Sequence, residues 1–334
     1  MRDRFKKTKI VYTIHNLRYQ MEVRVGTEKR KDLGTVPLPS LSKKAKAFKE
    51  INFSRRAILS ADLVTTVSRQ YAQEIQNSKF GFGLEGILKK VYTKGKLIGI
   101  ENGIDVDKYN PKTDPYVAKH YGRFTLKRKG INKLLLQARA RLTHDKDIPF
   151  LGMASRISKV QKGFDLLFEI LPELLNKKVQ LVVVGTGNMN LMNQLEWWSK
   201  KCRNMHYFKV FDVEIASQIY ASSDIYLMPS KFEPCGLGQL IALRYGSIPV
   251  VHGVGGLKDT IIDYDPTHET GNGFTFPDYE PAEFLLAIDR ALVAYTHKKR
   301  WQRLVKRAMK EDHSWENRVK EYENVFYELL RACK

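Results

Sequence analysis

The chain has 334 residues, of which 43% are hydrophobic and 28% are charged, and its formal net charge at pH 7 is +21. That length favours two domains, and the composition is typical of globular proteins, which excludes collagen-like and disordered chains. No apolar run approaches the ~20 residues that a membrane-spanning helix needs, so we expect no membrane segment.

The chain opens on a run of basic residues with no apolar stretch behind it, which predicts that there is no signal peptide. Three cysteines, Cys202, Cys235 and Cys333, are scattered without a Cys-x-x-Cys pair, so we expect reduced thiols and no zinc or redox site. These observations predict a cytoplasmic protein.

Eight short apolar runs follow one another along the chain, with helical patterns between them. The runs lie at residues 9–14, 63–67, 97–100, 150–154, 179–185, 206–210, 225–228 and 248–251. Helical patterns fall at residues 165–175, 215–222, 238–245 and 315–330. Nearly continuous apolar runs are typical of strands buried on both faces by crossover helices, so the sequence predicts an α/β fold with parallel sheets.

The alternation of strand and helix patterns is interrupted by a polar stretch at residues 110–147, and we therefore place a domain boundary near residue 145. The first domain, residues 1–145, has about three strand patterns and is expected to be an incomplete Rossmann-like domain. The second, residues 146–313, is expected to be a nucleotide-binding Rossmann-like domain. The tail, residues 314–334, carries an apolar helical stripe that is expected to pack against another element.

The net charge of +21 admits two interpretations, a polyanion-binding protein or a lysine-rich surface. Basic segments at residues 43–49, 127–133 and 298–310 alternate with apolar residues, as solvated helix faces do. Because no nucleic-acid recognition motif is present, we expect a lysine-rich surface and no nucleic-acid partner.

Charged and glycine-rich loops follow four strands of the second domain. Arg156, Lys159 and Lys162 follow the first of these strands, and two fixed cations beside a helix start suit a diphosphate. Glu233 follows another strand, where an ordinary charge at a helix start remains the alternative to a ligand contact. Glycine turns at residues 185–187 and 253–256 complete the set. Successive loops of a parallel sheet lie along one edge, where open α/β sheets bind ligands.

These motifs resemble those of the bacterial glycogen synthases and plant starch synthases. In the second domain the matching stretches are Ser-Arg-Ile (155–157), Gln-Lys-Gly (161–163), Gly-Thr-Gly (185–187), Met-Pro-Ser-Lys-Phe-Glu-Pro-Cys-Gly-Leu (228–237), Leu-Arg-Tyr-Gly-Ser-Ile-Pro (243–249), Gly-Gly-Leu-Lys-Asp-Thr (255–260), Gly-Phe-Thr-Phe (273–276) and Ser-Trp (314–315). In the first they are Thr-Ile-His-Asn-Leu (13–17), Thr-Val-Ser (66–68), Phe-Gly-Leu-Glu-Gly (82–86) and Glu-Asn-Gly-Ile-Asp (101–105). The ordered series covers nearly the whole chain.

The resemblance implies two Rossmann-like domains facing across a cleft, the glycosyltransferase B arrangement, with the last helix crossing back to the first domain. It implies retaining transfer of glucose from ADP-glucose to the non-reducing end of an α-1,4-glucan. ADP-glucose enters as a substrate, and no cofactor or metal is implied. The expected partners are thus ADP-glucose and an α-glucan.

The resemblance also assigns roles to residues. Arg156 and Lys162 would hold the diphosphate, Glu233 would contact the glucosyl ring, and His15 would meet the sugar from the first domain. The remaining residues expected to bind the donor are Gly255, Gly256, Leu257, Phe211 (stacked on the adenine), Cys235, Gly236, Leu237 and Asn102. With no second carboxylate at hand to act as nucleophile, we expect the donor's own phosphate oxygen to take the acceptor proton.

Three features depart from the family pattern. One extra residue separates Arg156 from Lys162, so Lys159 is an alternative phosphate ligand. Gly238 replaces the threonine or bulkier residue common after the Glu-Pro-Cys-Gly-Leu run. No Lys-x-Gly-Gly-Leu loop precedes His15, so we expect either a fragment or a protein whose remainder is a separate chain.

Two alternatives remain open. One is a related retaining transferase that uses UDP-glucose or another acceptor, although Ile241 stands where many such relatives carry a second glutamate. The other is an inactive subunit that binds glucan or nucleotide.

Overall fold

The computed structural model describes residues 8–24 and 50–331 and divides the chain into two compact units. The first unit is Met1–Glu101 together with Lys320–Lys334, and the second is Asn102–Val319. The basic segment at 43–49 and Cys333 lie outside the described residues. Among the described residues, no helix is both long and apolar enough to cross a membrane.

The first unit contains a three-stranded parallel sheet in the order β1-β4-β5, made of Val11–Ile14, Leu63–Thr66 and Leu97–Gly99. All three strands fall where the apolar runs predicted them. A short antiparallel pair, β2 (Glu22–Arg24) with β3 (Glu50–Asn52), was not predicted. Four helices accompany these strands: α1 (Phe53–Ser60), α2 (Arg69–Glu74), α3 (Ser78–Gly81) and α4 (Glu85–Thr93).

The second unit is built on a six-stranded sheet in which every neighbouring pair is parallel, in the order β11-β10-β9-β6-β7-β8. In chain order the strands are β6 (Phe150–Ala154), β7 (Gln180–Val184), β8 (Met205–Phe208), β9 (Ile225–Met228), β10 (Ile248–His252) and β11 (Phe274–Phe276). Every residue of β7, β9 and β10 is buried, which explains why their sequences are continuously apolar rather than alternating. The predicted α/β class with parallel sheets is therefore confirmed.

Helices cover this sheet and connect its strands. They are α5 (Lys129–Arg139), α6 (Phe164–Asn176), α7 (Met189–Lys201), α8 (Val213–Ser222), α9 (Gly238–Arg244), α10 (Gly255–Thr260), α11 (Pro281–Thr296) and α12 (Lys298–Ala308). The helical patterns at 165–175, 215–222 and 238–245 correspond to α6, α8 and α9 within two residues.

The boundary between the compact units differs from the one predicted near residue 145. Residues 102–145 belong to the second unit because their side chains are fastened to it. The Tyr121 hydroxyl donates to the Tyr245 carbonyl at 2.7 Å, and the ammonium of Lys133 pairs with Asp224 at 2.7 Å. The stretch is polar in composition, but several of its polar side chains are bonded inside the protein, namely Asp114, Lys129, Lys133 and Gln137.

The final helix, α13 (Trp315–Arg331), lies where the sequence predicted it. It begins in the second unit and, from Lys320, belongs to the first. No residue of this helix is fully buried, but Tyr322 and Val325 are half-buried and Glu321 pairs with Arg69 of α2 at 3.2 Å, and the packing of its apolar stripe stays a prediction.

Candidate functional site

Four loops of the second unit meet at the carboxyl edge of its sheet, because all six strands run in the same direction. The loops after β6 and β7 are joined by the Ile157 amide, which donates to the Thr186 carbonyl at 2.8 Å. The loops after β6 and β9 are joined by the Lys231 amide, which donates to the Gln161 carbonyl at 2.8 Å. Backbone bonds thus hold the charged loops together before any ligand is bound.

An ion pair forms the centre of this edge. The Nζ of Lys162 lies 2.6 Å from Oε2 of Glu233, and the Ser230 hydroxyl donates to the same oxygen at 3.0 Å. The Glu233 side chain is 8% exposed and that of Lys162 15%. A buried carboxylate is tolerated only where it is paired and hydrogen-bonded, and both conditions are met here. Two residues that are 71 positions apart in sequence therefore form one unit.

Glycines allow the loops to approach this closely. Gly163 adopts a φ of +73°, and a Cβ atom there would lie 1.9 Å from the Pro229 carbonyl oxygen. Gly256 lies against the Glu233 loop, where a Cβ would be 2.1 Å from the Cys235 carbonyl oxygen. Neither position has room for a side chain, so both are required by packing around the ion pair.

Arg156 and Phe211 line a small cavity at the same carboxyl edge of the sheet. It has a volume of about 130 Å³ and lies between the loops after β6, β7 and β8. The Phe211 ring is 75% exposed. A guanidinium nitrogen of Arg156 lies 3.4 Å from the side-chain oxygen of Gln161, the neighbour of Lys162. Burial raises the pKa of Tyr220, which also lines the cavity, so its hydroxyl stays neutral.

Lys159, the alternative phosphate ligand, is exposed and forms no ion pair with any described residue. Lys162, by contrast, is held against Glu233. The extra residue between Arg156 and Lys162 is therefore accommodated with Lys162, and not Lys159, in the cluster.

The glycine-rich start of α10 packs against the Glu233 loop. We expected Gly255, Gly256 and Leu257 to offer backbone N–H groups to a ligand. In the structure the Gly256 amide donates to the Glu233 carbonyl at 3.0 Å and the Leu257 amide to the Val254 carbonyl at 3.0 Å. These two amides are engaged inside the protein and hold α10 against the Glu233 loop.

The other residues of the Glu233 loop are structural neighbours of the pair. Cys235 is buried, and Gly236 adopts a φ of +74°, whereas Leu237 is 43% exposed. The Gln239 side chain donates to the carbonyls of Cys235 and Gly236 at 3.1 and 3.0 Å, which fixes the turn.

The two remaining predicted residues lie near the ends of strands of the other sheet. His15 is exposed and directly follows β1 in the first unit. Asn102 opens the second unit, and its side-chain oxygen is buried without a hydrogen-bond partner among the described residues. A buried oxygen without a partner is a place where a ligand or water would be stabilised.

Sequence reasoning assigned no role to Ser230, Gln239 or His252. Ser230 shares the Glu233 carboxylate with Lys162, and the ring of the buried His252 lies 2.8 Å from the Ser230 carbonyl oxygen. Ser230 lies in the 228–237 motif and His252 ends β10, so their positions were visible in the sequence, but the directions of their side chains were not. Gln239 lies in α9, outside that motif. In the described part of the chain, no group of three histidine, cysteine or acidic side chains has the arrangement of a metal site.

Comparison with known families and sequences gives two matches along the chain. Residues 1–90 match the family described as starch synthase catalytic domain, and residues 136–310 match glycosyl transferases group 1. The glycogen synthase of Clostridium novyi is 42% identical over 96% of this chain and 67% of its own length. That of Moorella thermoacetica is 42% identical over 98% of this chain and 66% of its own length. The chain thus spans about two thirds of the length of these curated relatives.

Solved structures agree with the sequence comparison. The catalytic domain of starch synthase IV from Arabidopsis thaliana, bound to ADP and acarbose, superposes with a TM-score of 0.86 at 32% identity. That match covers 97% of this chain and 67% of the other. Sucrose-phosphate synthase from Thermosynechococcus elongatus superposes with a TM-score of 0.60 at 17% identity, over 96% of this chain and 68% of its own, which shows a likeness of fold alone.

Proposed function

The chain belongs to the glycogen synthase and starch synthase family of glycosyltransferases, and from that premise we propose that it transfers glucose, with retention of configuration, from ADP-glucose to the non-reducing end of an α-1,4-glucan. The observation that carries the proposal is the Lys162–Glu233 pair at the carboxyl edge of the second sheet. ADP-glucose and the glucan are the substrates, and the proposal requires no cofactor or metal.

The order of groups along this edge fits the order of groups in the donor. The cavity with Phe211 lies at one end, the Lys162–Glu233 pair at the other, and Arg156 connects them through Gln161. Base, diphosphate and glucose follow one another in ADP-glucose in the same way. We assign the exposed Phe211 ring to the adenine, the two cations to the diphosphate and Glu233 to the glucosyl ring.

Lys162 keeps binding capacity for a phosphate. An ammonium has three N–H donors, and among the described residues Glu233 is the hydrogen-bond partner that Lys162 has. Two donors are thus available to the negative charge that develops on departing ADP, and Arg156 can add a bidentate contact. Placing fixed charge where it builds up in the transition state is the main way in which such a site accelerates transfer.

Glu233 is assigned to holding the sugar and not to covalent catalysis. Its Oε2 already accepts from Lys162 and Ser230, so we assign Oε1 to the contact with the sugar. The loops at 155–163, 185–188, 229–237 and 253–254 contain no other carboxylate, and Asp212, in the loop after β8, accepts from the Glu214 and Ile215 amides as the cap of α8. We therefore propose that a phosphate oxygen of the donor takes the proton of the acceptor hydroxyl as the new glycosidic bond forms.

The direct test supplies ADP-glucose and glycogen to the purified chain and measures ADP release together with transfer of labelled glucose to the polymer. We expect both at equal rates, release of the label by an enzyme specific for α-1,4 bonds, and a lower kcat/KM with UDP-glucose. No transfer, or ADP release that does not depend on glycogen, would contradict the proposal.

A matched pair of arginine variants tests whether Arg156 contributes to the reaction. Arg156→Ala removes a charge-assisted contact to phosphate, and such contacts contribute about 1.5–3 kcal/mol, so kcat/KM should fall roughly 10- to 100-fold. Arg203→Ala removes an equally charged, exposed arginine that lines neither the cavity nor the ion-pair cluster. It should leave the kinetics unchanged, and an equal loss in both variants would rule out a specific role for Arg156.

A further inference from the structure

A second and larger cavity lies in the same unit, at the amino edge of the sheet. It has a volume of about 560 Å³ and is formed by the segment at residues 110–128 with the ends of α9 and α12. Arg244, the last residue of α9, lies just before β10 begins, whereas Glu233 lies beyond the end of β9. Since these strands are parallel and five residues of strand span about 16 Å, the two sites are on opposite edges of the sheet.

The lining of this cavity is strongly basic. Five cationic side chains contribute to it, and no aspartate or glutamate does. The five are Lys112, Arg123, Arg128, Arg244 and Lys310. Lys112, Arg128 and Lys310 are exposed and form no ion pair with any described residue. Uncompensated positive charge that converges on a concave surface attracts an anion much more strongly than the same charge on an open surface.

The walls of the cavity are fixed by hydrogen bonds. The Gly122 amide donates to the Thr125 hydroxyl at 2.9 Å, and the Tyr121 amide donates to the Pro111 carbonyl at 2.9 Å. The Arg244 guanidinium donates to the carbonyls of Val106 and Tyr109 at 3.1 and 3.2 Å. A shape that is formed in advance loses less entropy when a ligand binds.

An aromatic ring lies on the rim. Phe124 is 80% exposed, and the Arg123 guanidinium lies 4.6 Å from the centre of its ring. The volume falls within the ~300–1,000 Å³ of small-molecule pockets and exceeds what a single inorganic anion fills. Cations on the walls and an apolar face on the rim together match a ligand with an anionic head and an organic body.

We propose that this cavity binds a small phosphorylated metabolite of about the size of a hexose phosphate. Arg128, Lys310 and Lys112 hold its phosphate, and Phe124 contacts the organic part. Arginine forms two parallel hydrogen bonds to a phosphate and lysine adds a point charge, so this set of residues suits a phosphate monoester better than a carboxylate or a neutral sugar. The site is independent of the donor cluster in position and in residues.

The test titrates the purified chain with glucose 6-phosphate, glucose and inorganic phosphate by calorimetry. All titrations are done in the Arg156→Ala Lys162→Ala background, which removes the cations proposed to bind the donor. We expect glucose 6-phosphate to bind, inorganic phosphate to compete with it, and glucose not to bind. Absence of glucose 6-phosphate binding, or equal binding of glucose, would overturn the proposal, whatever the transfer assay shows.

Two double variants test whether binding depends on the cations that line the cavity or on positive charge nearby. Arg128→Ala Lys310→Ala should weaken glucose 6-phosphate binding at least tenfold, and Arg128→Lys, which keeps the charge and loses the paired hydrogen bonds, should weaken it less than Arg128→Ala. Lys127→Ala Lys306→Ala removes the same charge from exposed neighbours that do not line the cavity, and it should change binding less than twofold. An equal loss in both double variants would contradict the proposal. Circular dichroism shows whether each variant is folded.

Discussion

Strand β9 has an ion-paired carboxylate beyond each of its ends, and the two pairs have similar distances and burial. At its amino end Asp224 accepts from Lys133 at 2.7 Å, and at its carboxyl end Glu233 accepts from Lys162 at 2.6 Å. The lysines differ in their remaining partners. Lys133 also donates to the carbonyls of Lys146 and Ile148 and to the Tyr295 hydroxyl. Its hydrogen-bonding capacity is used up by the protein, whereas that of Lys162 is not.

This difference separates a structural charge from one that is available to a ligand. A lysine surrounded by protein acceptors can only stabilise the fold, because no donor is left for anything else. A lysine with one partner at a sheet edge retains donors for an incoming anion. The distances are nearly the same and each of the four side chains is at most 15% exposed, so these two quantities alone do not show which lysine is available.

The largest effect is expected at the amino end. Lys133→Ala leaves Asp224 buried without its cation, and breaking a buried pair in this way typically lowers the free energy of unfolding by about 3–5 kcal/mol. Denaturant titration measures the loss. Lys127→Ala, an exposed neighbour, is the control and should change the free energy by less than about 0.5 kcal/mol. If the two variants were equally stable, Lys133 would not be structural.

A loss of catalytic rate is expected at the carboxyl end. Lys162→Ala should lower kcat about 100-fold or more, because it removes charge stabilisation in the transition state, while glycogen co-sedimentation stays unchanged. Lys159→Ala, the exposed lysine three residues earlier, should retain at least half of the activity. If Lys159→Ala caused the larger loss, the assignment of the two lysines would be reversed.

A smaller effect is expected farther along the carboxyl edge, at the cavity. Phe211→Ala removes a stacking surface, and aromatic contacts of this kind contribute about 1 kcal/mol, so the KM for ADP-glucose should rise roughly fivefold with little change in kcat. Trp197→Ala removes another half-exposed ring of the same unit as a control. A change in kcat without a change in KM would place Phe211 in the chemical step instead of in donor binding.

The smallest effect is a pH dependence at the amino edge. Burial lowers the pKa of Lys129 from 10.5 to about 7, although its ammonium donates to the carbonyls of Tyr220 and Tyr245 and to the Ser247 hydroxyl. Between pH 7 and 10.5 the unfolded chain binds more protons at this lysine than the folded chain does. The free energy of unfolding that Lys129 contributes therefore rises with pH in this interval and is lowest below pH 7. Since its three hydrogen bonds favour the charged form, we expect a gain of only about 1 kcal/mol between pH 7 and 9.

Denaturant titrations at several pH values measure this gain. Lys129→Met keeps the length of the side chain and removes the titrating group, so its stability should rise less over the same interval. A wild-type chain that loses stability as the pH increases, relative to Lys129→Met, would show that the charged form is the favoured one.

Most of the fold was predictable from the sequence because strand burial depends on local composition. All eight apolar runs became strands, since a run of β-branched residues between turns is recognisable without knowledge of its partners. The antiparallel pair of Glu22–Arg24 with Glu50–Asn52 was missed, because two three-residue strands separated by 25 residues leave no periodic signal. The predicted boundary near residue 145 also differs from that between the compact units, which falls at residue 101. The side chains that tie 102–145 to the second unit, such as Tyr121 and Lys133, do so through hydrogen bonds and an ion pair, which leave no apolar pattern in the sequence.

The lysines show where prediction from sequence stops. The segment at 127–133 has the alternating pattern of a solvated helix face, and from it we expected exposed lysines. Lys129 and Lys133 are instead buried, because the carbonyl groups of Tyr220 in α8, of Tyr245 just after α9 and of Lys146 in a neighbouring loop provide acceptors. Those acceptors lie 13 to 116 positions away in sequence. The same limit applies to the Lys162–Glu233 pair: both residues were singled out, but their contact was not.

The difference between the two ion pairs predicts how substitutions at each end of β9 would change protein abundance and activity in a cell. A variant at Lys133 would yield chains that unfold more often and are degraded, so the amount of protein would fall while each surviving molecule kept its rate. A variant at Lys162 would also lose stability, because Ser230 would be the side-chain partner left to the Glu233 carboxylate among the described residues, but each surviving molecule would in addition lose its catalytic rate. Quantifying protein abundance beside polymer yield would thus assign an inactivating substitution to one end of a four-residue strand or the other.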